Sequence, residues 1–180
     1  MNEPLTDQEK AGLERDHWFN KEGFGYNMLQ GTKPHTVSFA LRDPVALLAW
    51  IYEKLHDWTD SHPWTDDEVL TWISIYQFSR AGPESSVRIY YEATHMDRKV
   101  KSKYWEYIKG VKLGLSYFPR DINLPPSAYG RTLVEVVFER RHTDGGHFAA
   151  YERPEKLAED LFEMFGESGG AQDVVKGIVQ

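Results

Sequence analysis

The residues best placed to do chemistry lie near the C-terminal end of the chain, in His142-Thr-Asp-Gly-Gly-His147-Phe-Ala-Ala150, followed by Glu152-Arg153-Pro154. Two glycines let the backbone turn sharply, so that the histidine after them projects from a loop tip. An apolar run, Thr132 to Phe138, ends just upstream, and a helical pattern starts at Pro154. A histidine on a loop between a strand and a helix is suited to act as a base, because its proton exchanges near neutral pH. The same residues also fit an ordinary turn histidine. An acid to pair with it is Asp121, at the end of Phe118-Pro-Arg-Asp121. If both preceding runs are strands of one parallel sheet, Asp121 and His147 sit at neighbouring carboxyl ends, about 5 Å apart. A carboxylate there would fix the imidazole tautomer and stabilise the imidazolium. Taken alone, Asp121 reads equally as a turn or cap residue.

Other constellations are weaker. His56-Asp57, His62 and His95 lack regular ligand spacing, and His17 and His35 fall in separate elements, so no metal and no other cofactor is expected. Asp57-Trp-Thr-Asp60-Ser-His62 reads as a solvated helix end. No phosphate-cradling glycine loop is present, which argues against nucleotide binding.

The elements that must position Asp121 and His147 change character along the chain. Thr6-Asp-Gln-Glu9 is a capping box, opening a helix with Leu13, Trp18 and Phe19 that should stop at Gly23. Phe24 to Pro34 reads as an irregular connector, and Pro34 starts a short helix through Phe39 and Leu41. Asp43-Pro44 starts another, Val45 to Trp58, with a broad apolar face. Thr65-Asp-Asp-Glu68 is a second capping box, and its helix should be stopped by Gly82-Pro83. Pro83 to about Ala93 should be helical again. Val111 to Phe118 then alternates with period two, as a strand does, and Thr132 to Phe138 is apolar enough for a covered parallel strand. Pro154 to Phe165 closes with a helix whose Leu157, Leu161, Phe162 and Phe165 form one stripe, and residues from Ser168 on read as a frayed tail. The expected class is α/β: a helical region at 1–109, a strand–helix–strand–helix segment at 110–166 and a tail at 167–180. Two parallel strands leave two edges unpaired, so such a chain looks like part of a larger sheet and could self-associate through an open edge.

Composition narrows the function classes. The chain has 180 residues, enough for one domain with a core, and its 41% hydrophobic and 14% aromatic content argues against disorder. A net charge of −7 without a long basic cluster argues against a nucleic-acid partner or an anionic membrane surface. No cysteine is present, which excludes disulfides and thiolate chemistry. No apolar signal region and no run of membrane-spanning length occurs, so a soluble, cytoplasmic-type setting without a membrane segment is the expectation.

These residues together resemble the C-terminal half of an α/β-hydrolase-fold epoxide hydrolase of the microsomal-like and fungal type. The resemblance rests on Gly25-Tyr26 leading into Gly31-Thr-Lys-Pro34, on Asp43-Pro44-Val-Ala-Leu-Leu-Ala-Trp-Ile51 with Glu53-Lys54 and Trp58, and on Ser85-Ser-Val-Arg-Ile-Tyr-Tyr-Glu92. It extends to Phe118-Pro-Arg-Asp121 and Gly145-Gly-His-Phe-Ala-Ala150, with Asp121 and His147 26 residues apart as that family leads one to expect. The resemblance implies a helical lid followed by the last two core strands, and a small-molecule epoxide as substrate. It implies a two-step mechanism in which an aspartate opens the epoxide to an alkyl-enzyme ester and an activated water releases a diol. His147 would be the general base, Asp121 its orienting acid, and Tyr26 and Tyr90 the lid tyrosines that donate to the epoxide oxygen, with Tyr91 replacing Tyr90 if the register slips by one. The nucleophile's glycine-rich elbow and the oxyanion loop have no counterpart among these residues, so the chain reads as starting where the lid starts, and as inactive alone. Two other readings stand beside it: a non-enzymatic fragment that docks on another chain, and a different α/β-hydrolase such as a haloalkane dehalogenase.

Overall fold

A computed structural model describes residues 4–176. Their contacts gather into two compact units, one of 4–17, 58–60 and 104–176, the other of 18–57 and 61–103. In chain order the helices are α1 (Asp7–Trp18), α2 (Gly25–Thr32), α3 (Pro34–Ala40), α4 (Pro44–Asp57), α5 (Asp66–Phe78), α6 (Arg88–His95) and α7 (Arg98–Lys103). Strand β1 (Lys112–Tyr117), β2 (Glu135–Arg141) and helices α8 (Ala149–Glu152), α9 (Pro154–Phe165) and α10 (Gln172–Lys176) complete the order.

The helix starts follow their local chemistry. Both capping boxes form: Thr6 and Glu9 exchange hydrogen bonds at the head of α1, and Thr65 and Glu68 do so at the head of α5. Asp43 accepts the Val45 and Ala46 N–H groups at 2.9 Å each, and Pro44 takes the first helical position of α4. The helical unit buries Leu47, Leu55, Val69, Ile73 and Val87. One reading is corrected there: the expected connector between Phe24 and Pro34 is largely helix α2. Gly31 brings it close to a neighbour instead of breaking it, since a Cβ there would lie 3.0 Å from the Thr94 methyl of α6.

In the strand unit β1 and β2 pair in parallel with one irregularity at Leu113/Gly114, where a glycine side of the sheet takes Met164 of α9. β2 begins three residues later than expected, because Ser127–Thr132 turns as a 3₁₀ helix, and it runs on through Arg140 and Arg141. Those charges are tolerated because each has partners: Arg140 meets Asp160 and Glu163, and Arg141 lies 4.0 Å over the Tyr117 ring and donates to the Pro125 carbonyl. The expected stripe of α9 is also corrected. Its buried face is Asp160 and Met164, while Phe162 is 77% exposed. Beyond it Ala171 is fully buried and a short helix, α10, follows with Val174 and Val175 exposed. Residues 177–180 lie outside the described range.

Helix α1 is fastened to the strand unit through Glu9. Its carboxylate accepts the Thr6 and Ser127 N–H groups, with Arg141 nearby, and these donors hold its pKa down at about 2. A carboxylate whose folded pKa is depressed stabilises the fold above its unfolded pKa and loses that contribution as pH falls. Glu9→Gln is therefore expected to cost about 1–2 kcal/mol near neutral pH. In denaturant unfolding the gap to the unaltered chain should shrink between the ordinary carboxylate range and about pH 2. A gap independent of pH would count against the charge as its source.

Candidate active site

The parallel pairing does not stop at the named strands. Arg120 and Gly146 form one further bridge, with the Arg120 N–H donating to the Gly145 carbonyl at 3.1 Å. Asp121 and His147 are the next residue on each side of that bridge, so the sheet register itself sets them beside one another. His147 Nδ1 lies 2.7 Å from Asp121 Oδ1. A carboxylate only accepts, so Nδ1 carries a proton, and in the neutral imidazole the lone pair is on Nε2. Both side chains are about a third exposed, at 34% and 33%, which leaves the imidazole reachable from outside. The same Asp121 oxygen accepts the Ile122 N–H at 2.7 Å. From α1, the buried Arg15 donates to the carbonyls of Arg120 and Asp121 at 3.3 Å each, bracing the turn that carries the acid.

The histidine loop is gripped by a segment from much earlier in the chain. Trp58 and Thr59 are buried, and the Trp58 carbonyl accepts the His147 N–H at 2.8 Å. The Trp58 ring stands edge-on to the imidazole at 5.2 Å and stacks on Phe148. Asp60 accepts the Gly145 N–H at 3.0 Å, and its own N–H donates to the buried Glu152 at 2.8 Å. The expectation of a solvated helix end at 57–62 is thus overturned for Trp58 to Asp60. Both glycines are needed: Gly145 has φ +97°, and a Cβ on Gly146 would lie 2.4 Å from the Trp58 carbonyl oxygen.

Behind the loop lies a network of ionisable groups. Asp160 is 2% exposed and accepts from Ser116 at 2.6 Å, from His142 at 2.7 Å and from Arg140 at 2.6 Å. Burial pushes its pKa up, but the bonds from Ser116 and His142, with the charge of Arg140, outweigh that and hold it below the usual carboxylate range. His142 stacks flat on Phe118, and its N–H donates to the Tyr117 carbonyl. Asp144, two residues on, is paired with Lys156 and Arg153, whose hydrogen bonds lower its pKa.

The two tyrosines belong to the helical unit, where the structure brings them together. The Tyr26 and Tyr90 rings meet edge to face at 5.7 Å. Burial raises the Tyr26 pKa, and the neighbouring Tyr90 adds to it, so this phenol keeps its proton as a donor must. Lys54, buried and paired with Glu53, sits 5.4 Å over the Tyr26 ring. Tyr91 instead stacks on His95 at 4.0 Å. The residues that sequence reasoning left without a role are Arg15, Asp60 and Glu152. Trp58 and Glu152 stood within noted motifs, but nothing local in the sequence shows that they meet. Among the described residues, no group of three or more metal-ligating side chains gathers and no helix is long and apolar enough to cross a membrane.

Comparison with known proteins gives a consistent family. Epoxide hydrolase 1 of Sus scrofa is 35% identical over 159 residues, covering 79% of this chain and 34% of its own length. The solved structure of Aspergillus niger epoxide hydrolase matches with a TM-score of 0.74 at 34% identity, over 89% of this chain and 40% of that one. The crystal structure of juvenile hormone epoxide hydrolase from the silkworm Bombyx mori matches with a TM-score of 0.75 at 28% identity, over 88% and 41%. The chain spans under two-fifths of the length of the curated relatives it matches. No protein-family model matches it.

Proposed function

The chain is related to the α/β-hydrolase-fold epoxide hydrolases over nine-tenths of its length, and we propose that it carries the water-activating half of epoxide hydrolysis. The observation that supports this most directly is the 2.7 Å bond from His147 Nδ1 to Asp121, which leaves Nε2 free to take a proton. In this reading Tyr26 and Tyr90, in the role of lid tyrosines, donate O–H groups to the epoxide oxygen as a carboxylate opens the ring to an ester. His147 then removes a proton from water, hydroxide adds to the ester carbonyl and the ester C–O bond breaks; the imidazolium proton and that of the added hydroxyl end on the two oxygens of the diol, which restores the carboxylate and the neutral histidine. Asp121 stabilises the imidazolium formed in that step.

The nucleophilic carboxylate is the part this reading leaves to other residues: among the described residues no aspartate sits on a glycine-flanked strand-to-helix elbow. The purified 180-residue polypeptide is therefore expected to yield no diol from styrene oxide above a His147→Ala control. Placed in Aspergillus niger epoxide hydrolase in exchange for the matching segment, the same residues are expected to restore diol formation. Product is followed by chromatography. Turnover by the isolated chain that disappears with His147→Ala would overturn the division of labour, and a folded but inactive chimera would overturn the epoxide reading.

A further inference from the structure

His147 is about a third exposed, and a single hydrogen bond to a similarly exposed carboxylate does not hold an imidazole in one orientation. Its fixed direction has to come from the backbone that carries it. That backbone is bound to residues 58–60 by the His147 N–H on the Trp58 carbonyl, by the Gly145 N–H on the Asp60 carboxylate, and by the edge-on Trp58 ring. Residues 58–60 are in turn held from the far side of the loop, where Glu152 of α8 accepts the Asp60 N–H at 2.8 Å. Glu152 is 5% exposed, and its second oxygen, Oε1, is buried without a hydrogen-bond partner among the described residues, so the Asp60 N–H is the polar contact that orients this carboxylate. Glu152 and His147 stand on one loop-to-helix stretch and Asp60 spans its two ends. Arg120, next to the acid Asp121, faces the other Asp60 oxygen at 3.9 Å.

We propose that Asp60 and Glu152 are positioning residues for His147: together they clamp the 145–147 loop so that Nδ1 faces Asp121 and Nε2 faces away from it. The inference rests on reading His147 and Asp121 as the base and its acid. It adds two carboxylates that act through the backbone and touch no reacting atom.

The test uses proton NMR of the 180-residue chain, in which a histidine N–H bonded to a carboxylate gives a resolved downfield signal. Three histidines are bonded to carboxylates, but His56 on Asp57 is 72% exposed and its N–H should exchange too fast to be seen, so two signals are expected, one from His147 on Asp121 and one from His142 on Asp160, and the second serves as an internal control. Asp60→Ala and Glu152→Ala should each abolish the His147 signal, or speed its exchange by about ten-fold or more, while the His142 signal stays. Glu152→Gln should keep both, because an amide oxygen still accepts the Asp60 N–H. If Glu152→Ala does not fold, Asp60→Ala, a partly exposed position, decides the matter. A His147 signal unchanged in the alanine variants would overturn the proposal, as would loss of both histidine signals together, which is what general destabilisation produces. Absence of the His147 signal from the unaltered chain would instead overturn the base-and-acid reading, and the clamp with it.

Discussion

With His147→Gln, the Aspergillus niger chimera is expected to open styrene oxide once and then stop. Diol formation should fall by about 10³-fold or more, the range over which a positioned general base accelerates proton transfer. Intact-mass spectrometry should show the protein heavier by one epoxide equivalent. The reasoning follows from which atoms each group touches. Ring opening needs a carboxylate and hydroxyl donors to the leaving oxygen, and a neutral glutamine in the place of His147 leaves both intact. Ester hydrolysis needs a proton removed from water, and glutamine has no lone pair basic enough to accept it. Tyr26→Phe should fail in the opposite sense. It removes a half-buried donor that keeps its proton, so the ester should form slowly and no adduct should build up. Loss of diol in His147→Gln without a mass increase would remove His147 from the second step and return it to a structural part.

Asp160→Ala is expected to cost about 3–5 kcal/mol in denaturant unfolding, a large share of the stability of an ordinary domain. Asp160 is buried and serves Ser116 of β1, His142 beyond β2 and Arg140 of β2 at once. Removing it leaves the buried His142 imidazole and the Ser116 hydroxyl without their acceptor and Arg140 with Glu163 alone, and the uncompensated buried groups carry most of the penalty. The linkage has a definite sign. The Asp160 pKa is depressed in the folded chain, so its contribution is complete above the ordinary carboxylate range and fades as pH falls through its lowered value. The difference between the two chains should narrow in acid accordingly. A loss below about 1 kcal/mol would show that His142 and Arg140 find other partners or water.

The parts of the molecule that could be read from sequence are those whose cause is local. Thr6 with Glu9 and Thr65 with Glu68 lie three residues apart and satisfy each other whatever surrounds them, and Pro44 after Asp43 works the same way. The neighbourhood of Asp121 and His147 was legible for a related reason: a parallel register leaves little freedom in where two strand ends meet. What escaped was decided at a distance. Gly25 and Gly31 resemble helix breakers until α6 is present for Gly31 to pack on. The apolar run that marked β2 stopped short of Arg140 and Arg141 because their acceptors lie on other elements. Leu161 and Phe162 look like core residues by spacing, yet the buried face of α9 centres on an aspartate. Trp58, Thr59 and Asp60 follow a helix end in polar company, and only the far loop reveals their use.

The close approach at Gly146 also orders events in time. Backbone meets backbone there between segments that are linked through about 85 intervening residues, as the Asp60 to Gly145 bond shows. Closing a flexible loop of that length carries an entropic cost of about 4 kcal/mol, set against a handful of hydrogen bonds and two ring contacts. Contacts so remote in sequence are expected to form late, after α5 and α6 have shortened the path between their ends, and to be among the first to open when the chain breathes. The seat of His147 is therefore expected to be completed last as the chain assembles, so a molecule with sound helices and a paired sheet can still lack the His147–Asp121 pair.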